Sequence, residues 1–374
     1  MRLPSQITTP RPETGLAPAP SPIEVSTHLD APVCVHPLRP GDEDAWNQFV
    51  ERHPDASFFH YIGWKKVMER TYGYKPYYFY SSRGGRISGI APAFLVSSWI
   101  SGRCLLSLPF AVYGGICADD HESEEALRRE LESLGRSLRV DYIELRNRRG
   151  ITPSGYHSNL RYSTFTMPLL EDADALYKAL PKDIRYMIRK GEKAGLRCVR
   201  GVDQLDVFYR LMTINLRRLG TPAFPRTLFQ NLVSQFPGQV DITVLYSGER
   251  PVAGGMSFFF RHSMQPYYIG STDDAKTMAA NNLLWWELIK IGIQSGCRIF
   301  DFGRSKQESG NYAFKKKWNP QIETLQYQIR LVKRKDVPNF SPTNPKFTLA
   351  MSMWKKAPLG LTRLFGPRLV RWFP

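Results

Sequence analysis

Residues Ile242–Phe260, with the sequence ITVLYSGERPVAGGMSFFF, contain two apolar runs separated by a short polar turn. The turn, Ser247-Gly248-Glu249-Arg250, combines glycine with charged residues. It predicts a hairpin between a strand at Ile242–Tyr246 and a strand at Val252–Phe260. A further apolar run at Pro266–Gly270 predicts a third strand. This stretch therefore predicts consecutive strands of one sheet.

A helix at Asn281–Ser295 and a short strand at Arg298–Phe302 are predicted to follow this sheet. A helix that is apolar on all sides has to be buried on most of them. We therefore expect the helix to pack between its own sheet and the other half of the chain or the tail, with Trp285 and Trp286 largely hidden from solvent. Its apolar residues cover nearly the whole circumference: Leu283, Leu284, Trp285, Trp286, Leu288, Ile289, Ile291 and Ile293.

The same order of elements, strand, turn, strand, strand, helix and strand, occurs earlier in the chain. A repeat of this size indicates a duplicated domain, because the repeats of solenoids are shorter. Hairpins followed by a helix and another strand predict an α/β (α+β) fold of two halves, each a mixed sheet with flanking helices. The earlier copy comprises Tyr77–Ser81, the turn Arg83-Gly84-Gly85, Ile87–Val96, Leu105–Phe110, the helix Glu124–Arg139 and Tyr142–Leu145.

Composition changes along the chain divide it into five segments. The first is rich in Pro, Ser, Thr and Ala, which is typical of disorder. In the third, Arg185, Arg189 and Lys193 recur every four residues and share one helix face. The predicted segments are a disordered leader at 1–32, a first half at 33–170, a basic linker helix at 171–201, a second half at 202–332 and a basic amphipathic tail at 333–374.

The chain has 374 residues, with 51 Lys and Arg against 34 Asp and Glu. Such an excess of positive charge attracts nucleic acid, anionic lipid or phosphorylated substrates, and charge alone does not choose among them. Five cysteines are scattered singly, which favours packing roles in a reducing compartment. No histidine pair has metal-ligand spacing, and no P-loop, HExxH motif or Ser–His–Asp order is present, so no metal is expected.

No signal peptide and no apolar stretch of the ~18–20 residues needed for a membrane span can be identified. These features predict a cytoplasmic protein, at most peripheral at the inner face of the membrane. The tail Arg330–Pro374 carries ten Lys and Arg, one acidic residue and interleaved apolar residues. This composition predicts either a peripheral membrane anchor or an element that packs on the second half.

The densest cluster of unusual residues begins with Asp301–Lys306 and continues through Gly310–Trp318. A strand is predicted to end here, and α/β sheets bind ligands beyond the carboxyl ends of their strands. Gly303 permits a tight turn. Arg304, Lys306 and Lys315–Lys317 are predicted to surround a pocket mouth that suits a diphosphate or a carboxylate. The alternative is a solvated basic loop followed by an amphipathic helix.

These residues resemble the closing signature of the FemAB-like acetyltransferases within the GNAT superfamily. The resemblance covers roughly residues 35–374, and the tail is similar to a subgroup associated with PEP-CTERM and exosortase exopolysaccharide loci. The motifs that carry it are Asp301-Phe302-Gly303-Arg304-Ser305 with Tyr312-Ala313-Phe314-Lys315-Lys316-Lys317-Trp318, Ser57-Phe58-Phe59-His60 with Trp64, Ser107-Leu108-Pro109-Phe110 with Tyr113-Gly114-Gly115, Ile143-Glu144-Leu145-Arg146, Arg185–Gly191, and Trp354 with Pro358-Leu359 and Gly366–Val370.

The resemblance implies transfer of an acyl or aminoacyl group to an amine or hydroxyl of a cell-envelope or exopolysaccharide precursor. Fem-type ligases use two GNAT-like halves to move an amino acid from aminoacyl-tRNA to a peptidoglycan precursor, and related proteins use acyl-CoA. The implied donor is therefore acyl-CoA or aminoacyl-tRNA. The implied acceptor is a precursor linked to a lipid or a nucleotide diphosphate. The substrate-site Phe-Lys pair of the Fem ligases maps onto Phe314 and Lys315.

Acyl transfer needs a positioned nucleophile and a donor to the developing oxyanion. We expect Asp301 to deprotonate or orient the nucleophile, and Lys315 to bind substrate phosphate or neutralise the tetrahedral intermediate. The backbone N–H near Tyr268 is the expected oxyanion donor. The predicted substrate-binding residues are Arg304, Phe314, Lys316, Tyr312, Arg185, Arg189 and Asn282.

The sequence departs from ordinary GNAT enzymes at Asp274–Asn282, where a glycine-containing loop usually holds the pyrophosphate of CoA. This segment has no glycine, so CoA cannot be assumed as the donor. A second hypothesis is a non-catalytic module that binds polyanions, either RNA or an anionic membrane, through the linker helix and the tail.

Overall fold

The computed structural model describes residues 31–98, 102–338 and 345–372. The leader predicted at 1–32 lies outside these ranges except for its last two residues. The strands are β1 (Cys34–Pro37), β2 (Lys75–Arg83), β3 (Arg86–Ser98), β4 (Gly102–Leu106), β5 (Cys117–Ala118), β6 (Tyr142–Asn147), β7 (His157–Asn159), β8 (Tyr162–Pro168), β9 (Arg197–Arg200), β10 (Val240–Ser247), β11 (Arg250–Phe260), β12 (Ser263–Ser271), β13 (Ile299–Asp301), β14 (Ser305–Lys306), β15 (Gln321–Thr324) and β16 (Gln326–Leu331).

The helices cover both faces of the strands and form the C-terminal tail. They are α1 (Glu43–Arg52), α2 (Ile62–Tyr72), α3 (His121–Ser137), α4 (Ala173–Ala179), α5 (Lys182–Lys193), α6 (Leu205–Leu219), α7 (Arg226–Gln235), α8 (Ala280–Gln294), α9 (Gly310–Lys316), α10 (Pro345–Lys356) and α11 (Leu359–Val370).

The described strands form two sheets of eight strands each. The first sheet has the order β1-β2-β3-β4-β6-β16-β7, with β5 paired to β3. The second has the order β14-β8-β13-β12-β11-β10-β9, with β15 paired to β8. The β4–β6 pair and the β12–β13 pair are parallel, and the neighbouring pairs are antiparallel. The predicted fold of two mixed-sheet halves with flanking helices is confirmed.

The two sheets exchange one strand each, so the predicted boundaries at 170 and 332 do not separate them. Strand β8 precedes the first boundary but lies in the second sheet, where Ile299 pairs with Pro168. Strand β16 precedes the second boundary but lies in the first sheet, where it pairs with β6 from Gln326↔Asn147 to Leu331↔Tyr142. Neither strand is predicted from the sequence, and the predicted boundaries follow chain order because an apolar pattern does not identify the partner of a strand.

The segment predicted as one linker helix at 171–201 instead forms α4, α5 and β9, and α5 packs on α8 in the second half. Gly191 makes this approach possible, because a Cβ atom there would lie 2.7 Å from Cβ of Leu283. Helix α8 is buried on nearly all sides, and Trp285 and Trp286 are only 5% and 4% exposed. The burial predicted for this helix is confirmed.

An aromatic core joins the two halves. Phe58 of the first half stacks on Phe258 of β11, with 4.4 Å between the ring centroids. Phe59 contacts the ring of Tyr267 at 5.0 Å. Gly63 lies directly against Phe236, where a Cβ atom would approach the ring to 2.6 Å. Burial of such large apolar surfaces is the main favourable term in folding, so the halves share one continuous core.

The tail helices α10 and α11 pack on α6. The indole N–H of Trp354 donates to the Thr221 carbonyl at 3.2 Å. Gly366 lies against Ala223, and Val370 is buried in the core that joins the halves. The hydroxyl of Tyr74, in the first half, donates to the Arg371 carbonyl. The tail is therefore packed on the fold. In the described residues, no helix is both long enough and apolar enough to cross a membrane.

Candidate active site

Asp301 ends β13 and lies buried where the two halves meet. Its Oδ1 atom accepts hydrogen bonds from the Gly303 N–H at 2.7 Å and the Thr164 hydroxyl at 3.3 Å. Its Oδ2 atom accepts from the Tyr113 hydroxyl at 2.8 Å and the Gln265 amide at 2.9 Å. Burial raises the pKa of Asp301, while the bonds from Gly303 and Tyr113 oppose the rise. The carboxylate is thus held by donors from both halves.

Lys315 lies on α9, 14 residues beyond this strand end, and its side chain is buried. Its Nζ atom donates to the carbonyls of Gly303 and Arg304, both at 3.0 Å. Gly303 adopts a positive φ of 70°, which turns these carbonyls toward the lysine. Burial lowers the pKa of Lys315 to about 7, with the Asp301 carboxylate opposing and Arg304 adding to the effect. Such an ammonium gains or loses its proton near neutral pH.

Arg304 connects the two sheets instead of lining an open basic ring. Its guanidinium lies 4.7 Å from the ring centroid of Tyr162 on β8 and donates to the Tyr327 hydroxyl on β16 at 3.0 Å. The Tyr327 hydroxyl in turn donates to the Val112 carbonyl at 2.6 Å. Lys316 and Lys317 are exposed, whereas Lys315 points inward at backbone carbonyls. The predicted basic ring is therefore not formed as a single group.

The other predicted site residues lie in separate surroundings. The Tyr268 phenol is buried among Phe224, Phe229 and Phe258, so only its backbone remains a candidate oxyanion donor. A bulge at Tyr267 lies between the pairs Met256↔Tyr268 and Ser257↔Pro266. It turns the Tyr267 phenol toward the first half, where its hydroxyl donates to the Phe110 carbonyl. Phe314 contacts Trp285 and Trp318, and Tyr312 contacts Phe165.

Asn282, Arg185 and Arg189 belong to the packed pair of α8 and α5, not to the Asp301 cluster. Asn282 is buried in the first turn of α8. Arg189 is exposed on α5, and the Nε atom of Arg185 is buried without a hydrogen-bond partner among the described residues. Their predicted role in substrate binding stays a prediction.

A cavity of about 630 Å³ opens in the first half beside the Asp301 cluster. Tyr113 forms part of its wall and thereby connects it to Asp301. Arg148, also in the wall, lies 5.2 Å from the Tyr113 ring centroid and donates to Glu323 at 3.0 Å. The remaining polar lining includes His53, Asp55, His60, His121, Glu124, Glu125, Arg128, Asn147 and Arg149.

A histidine and a cysteine in this cavity do not form a nucleophilic pair, although the Cys117 sulfur is 3.5 Å from Nε2 of His60. The Ser57 N–H donates to Nδ1 of His60 at 3.1 Å, so Nε2 carries the proton and donates to the Gly115 carbonyl at 3.1 Å. Burial lowers the pKa of His60 to about 4 and raises the pKa of Cys117. A neutral histidine without a free lone pair cannot activate a thiol.

The lowered pKa of Lys315 gives a prediction about stability. The folded pKa of about 7 lies below the unfolded value of about 10.4. Between these values the unfolded chain binds more protons, so the stability of the wild type rises with pH. Relative to Lys315→Met, we expect the free energy of unfolding of the wild type to increase with a slope approaching ~1.4 kcal/mol per pH unit. Denaturant unfolding at pH 7, 8 and 9 measures it, and parallel curves for the two proteins would contradict the burial of an ionisable amine.

Two kinds of comparison place this architecture among known proteins. The fold is that of tandem GNAT proteins. The structure of FemX aligns with a TM-score of 0.62 at 13% identity, covering 80% of this chain and 98% of FemX. The C-terminal domain of a protein described as a lysylphosphatidylglycerol synthetase, from Agrobacterium fabrum, aligns with a TM-score of 0.54 at 13% identity, covering 78% and 92%. A tandem GNAT protein of clavulanic acid biosynthesis aligns with a TM-score of 0.53 at 12% identity, covering 82% and 100%.

At the level of sequence, residues 178–316 match the family model described as an acetyltransferase (GNAT) domain. No curated protein matches the chain. The matched range includes α8, Asp301 and Lys315, so the buried carboxylate and lysine lie in the part of the chain that is similar to this domain.

Proposed function

We propose that this chain is an acyl or aminoacyl transferase that acts on an amine or hydroxyl of a cell-envelope or exopolysaccharide precursor. One observation carries the proposal. A lysine with a pKa of about 7 is buried beside a carboxylate, and that carboxylate holds a tyrosine of the other half in the wall of a cavity. Ionisable groups with displaced pKa values next to a cavity are typical of catalytic sites.

In this proposal the acceptor enters the first-half cavity and meets the donor at Tyr113. The attacking nitrogen or oxygen forms the new bond to the donor carbonyl and passes its proton to the Tyr113 oxygen, while Tyr113 passes its own proton to Asp301. The bond from the carbonyl carbon to the leaving sulfur or ribose oxygen then breaks, and the leaving group takes up the proton that Asp301 returns through Tyr113. Lys315, as the ammonium, stabilises the negative charge that develops on the carbonyl oxygen. The acceptor class in this proposal comes from the resemblance to FemAB-like proteins. The most specific acceptor that the resemblance implies is a precursor of PEP-CTERM-associated polysaccharide synthesis.

The oxyanion also needs a fixed N–H donor, and the gap between β12 and β13 supports one. In the described residues these strands pair only at Ser263↔Ile299 and Met264↔Phe300. Beyond this point β12 continues for several residues, while β13 ends at Asp301. The backbone N–H of Tyr268 remains our candidate donor in this gap.

The donor is proposed to be aminoacyl-tRNA or an acyl-CoA, and the first turn of α8 favours the former. Ala279 at this turn has a positive φ of 53° and a buried side chain, and α5 packs against it through Gly191. The start of α8 is therefore covered, unlike the open glycine loop that holds a pyrophosphate. The outer face of α5 instead exposes Lys182, Arg189, Lys190 and Lys193, whose charges suit the backbone of tRNA.

The proposal is tested by transfer of a radiolabelled acyl group from purified donors. The full chain is incubated with labelled acetyl-CoA or labelled aminoacyl-tRNA, and with nucleotide-linked or lipid-linked amino-sugar precursors. We expect labelled precursor with one donor class, and transfer that is about 10²–10³-fold slower after Lys315→Met.

Failure with both donor classes would support the alternative, a non-catalytic module that binds polyanions. In that case, RNA binding should fall steeply with salt and show no preference for charged over uncharged tRNA. A preference for charged tRNA would favour the transferase.

A further inference from the structure

Helices α10 and α11, which both pack on α6 and are together called the C-terminal hairpin here, carry large exposed apolar side chains. Met353 is 67% exposed, Leu364 is 60% exposed and Leu361 is 49% exposed. Phe365, beside Leu364, is 46% exposed. Leu219, at the end of α6, is also 46% exposed and precedes Gly220, which contacts Met351 and Lys355 of the hairpin. Clustered large apolar side chains in solvent mark an interaction surface more often than isolated ones do.

This face cannot be turned inward, because the opposite side of α11 is already packed. Thr362, Gly366 and Val370, spaced four residues apart, are buried on one stripe of the helix. A Cβ atom at Gly366 would lie 2.6 Å from the Ala223 nitrogen. The Arg363 Nε atom donates to the Thr213 hydroxyl at 3.1 Å. The packed stripe fixes the rotation of the helix and leaves Leu361, Leu364 and Phe365 outside.

The charged residues around this face indicate which class of partner is complementary to it. Lys355, Lys356, Arg368 and Arg371 are exposed on the same hairpin, and residues 337–374 contain no Asp or Glu. A second copy of this positively charged surface would be repelled, and a nucleic acid would not account for the exposed leucines. Apolar side chains flanked by Lys and Arg are complementary to an anionic lipid surface.

We propose that the hairpin of α10 and α11 docks on an anionic lipid bilayer, with Leu361, Leu364 and Phe365 inserted at the interface and the basic residues facing the headgroups. The docking does not depend on the proposed transferase activity. The packed side of α11 keeps the hairpin attached to the fold, so the whole protein is carried to the surface.

Flotation of the full chain with vesicles tests the proposal, using phosphatidylcholine alone or with phosphatidylglycerol. At low salt we expect binding to the anionic vesicles and little binding to phosphatidylcholine. The double variant Leu364→Glu with Phe365→Glu is expected to lose binding at least ~10-fold. The matched control is Leu160→Glu with Leu170→Glu, which makes the same charge change at two leucines that are each 45% exposed outside the tail.

A second pair of variants separates the effect of the hairpin lysines on vesicle binding from the effect of the overall charge. Lys355→Gln with Lys356→Gln is expected to weaken binding about 10-fold or more, because each lysine near an anionic surface contributes on the order of a fivefold change. Lys316→Gln with Lys317→Gln, which removes the same charge elsewhere, should change binding less.

Three results would overturn the proposal. One is absence of flotation by the folded wild type with anionic vesicles at low salt. Another is equal loss in the hairpin variant and in its leucine control. The third is a dimer in size-exclusion chromatography that the Leu364→Glu and Phe365→Glu changes dissociate, since a second copy would then cover this face.

Discussion

Replacing Lys315 by methionine is expected to lower kcat/KM for transfer by about 10²–10³-fold, the usual loss when one donor to a developing oxyanion is removed. Methionine retains the length of the side chain but not the charge, and the buried site should accept it. The transfer assay measures the loss. The matched control is Lys178→Met on an exposed lysine of α4, which should stay within about twofold of the wild type.

The same lysine sets the pH dependence of the reaction. With a pKa of about 7 in the free enzyme, the ammonium form is lost as pH rises through neutrality. The kcat/KM of the wild type should therefore fall above about pH 7, and Lys315→Arg, which stays charged, should remove this fall. A profile that rises through pH 7 would instead make Lys315 a base and contradict its cationic role.

Replacing Asp301 by asparagine is expected to lower both activity and stability. Within the described part of the chain the carboxylate accepts four hydrogen bonds, and the amide would turn a donor toward at least two existing donors. We expect a loss of roughly 2–4 kcal/mol in the free energy of unfolding and at least ~100-fold in kcat/KM. Denaturant unfolding and the transfer assay measure the two effects.

A partner variant separates the catalytic effect from the structural one. Tyr113→Phe removes only the phenolic oxygen that joins the cavity to Asp301. If the proton passes through Tyr113, this variant should lose most of the activity while losing about 1 kcal/mol of stability. Full activity in a folded Tyr113→Phe protein would exclude Tyr113 from the reaction and leave Asp301 with a structural role.

The local part of the site could be predicted from the sequence because its members are close in the chain. Asp301, Gly303 and Lys315 follow one another through β13, β14 and α9, so their closeness in the chain indicated that they lie together. The same holds for α8, whose apolar circumference predicted its burial. The predicted ends of the strands differ from the observed ends by a few residues, because side-chain patterns are weak at the ends of elements.

The rest of the site depends on contacts between distant segments. Tyr113, Thr164 and Gln265 reach Asp301 from three different strands or loops, and none has a local pattern that indicates it. The one available signal was the glycine pair after Tyr113. A Cβ atom at Gly115 would lie 1.5 Å from the Asn147 amide oxygen, so the loop needs glycine to pack here.

The amino-acid composition of the tail is compatible with two structural roles. Its apolar and basic residues suited both a membrane anchor and a packed element, and the sequence could not separate these alternatives. In the structure, one side of α11 packs on the fold while the other stays exposed. The assignment depends on which residues face inward, and that is fixed by contacts with Ala223 and Thr213 from α6 and the following loop.

The exchanged strands have a consequence for synthesis of the protein on the ribosome. The edge of β6 is completed only by β16, which follows it by ~180 residues in the chain. At typical elongation rates of 5–20 residues per second, this edge stays unpaired for about 10–40 s. An open, apolar strand edge is a template for aggregation, so the nascent first half is the stage at which chaperones are most needed. Neither half is a complete folding unit, and both sheets close only when almost the whole chain has emerged.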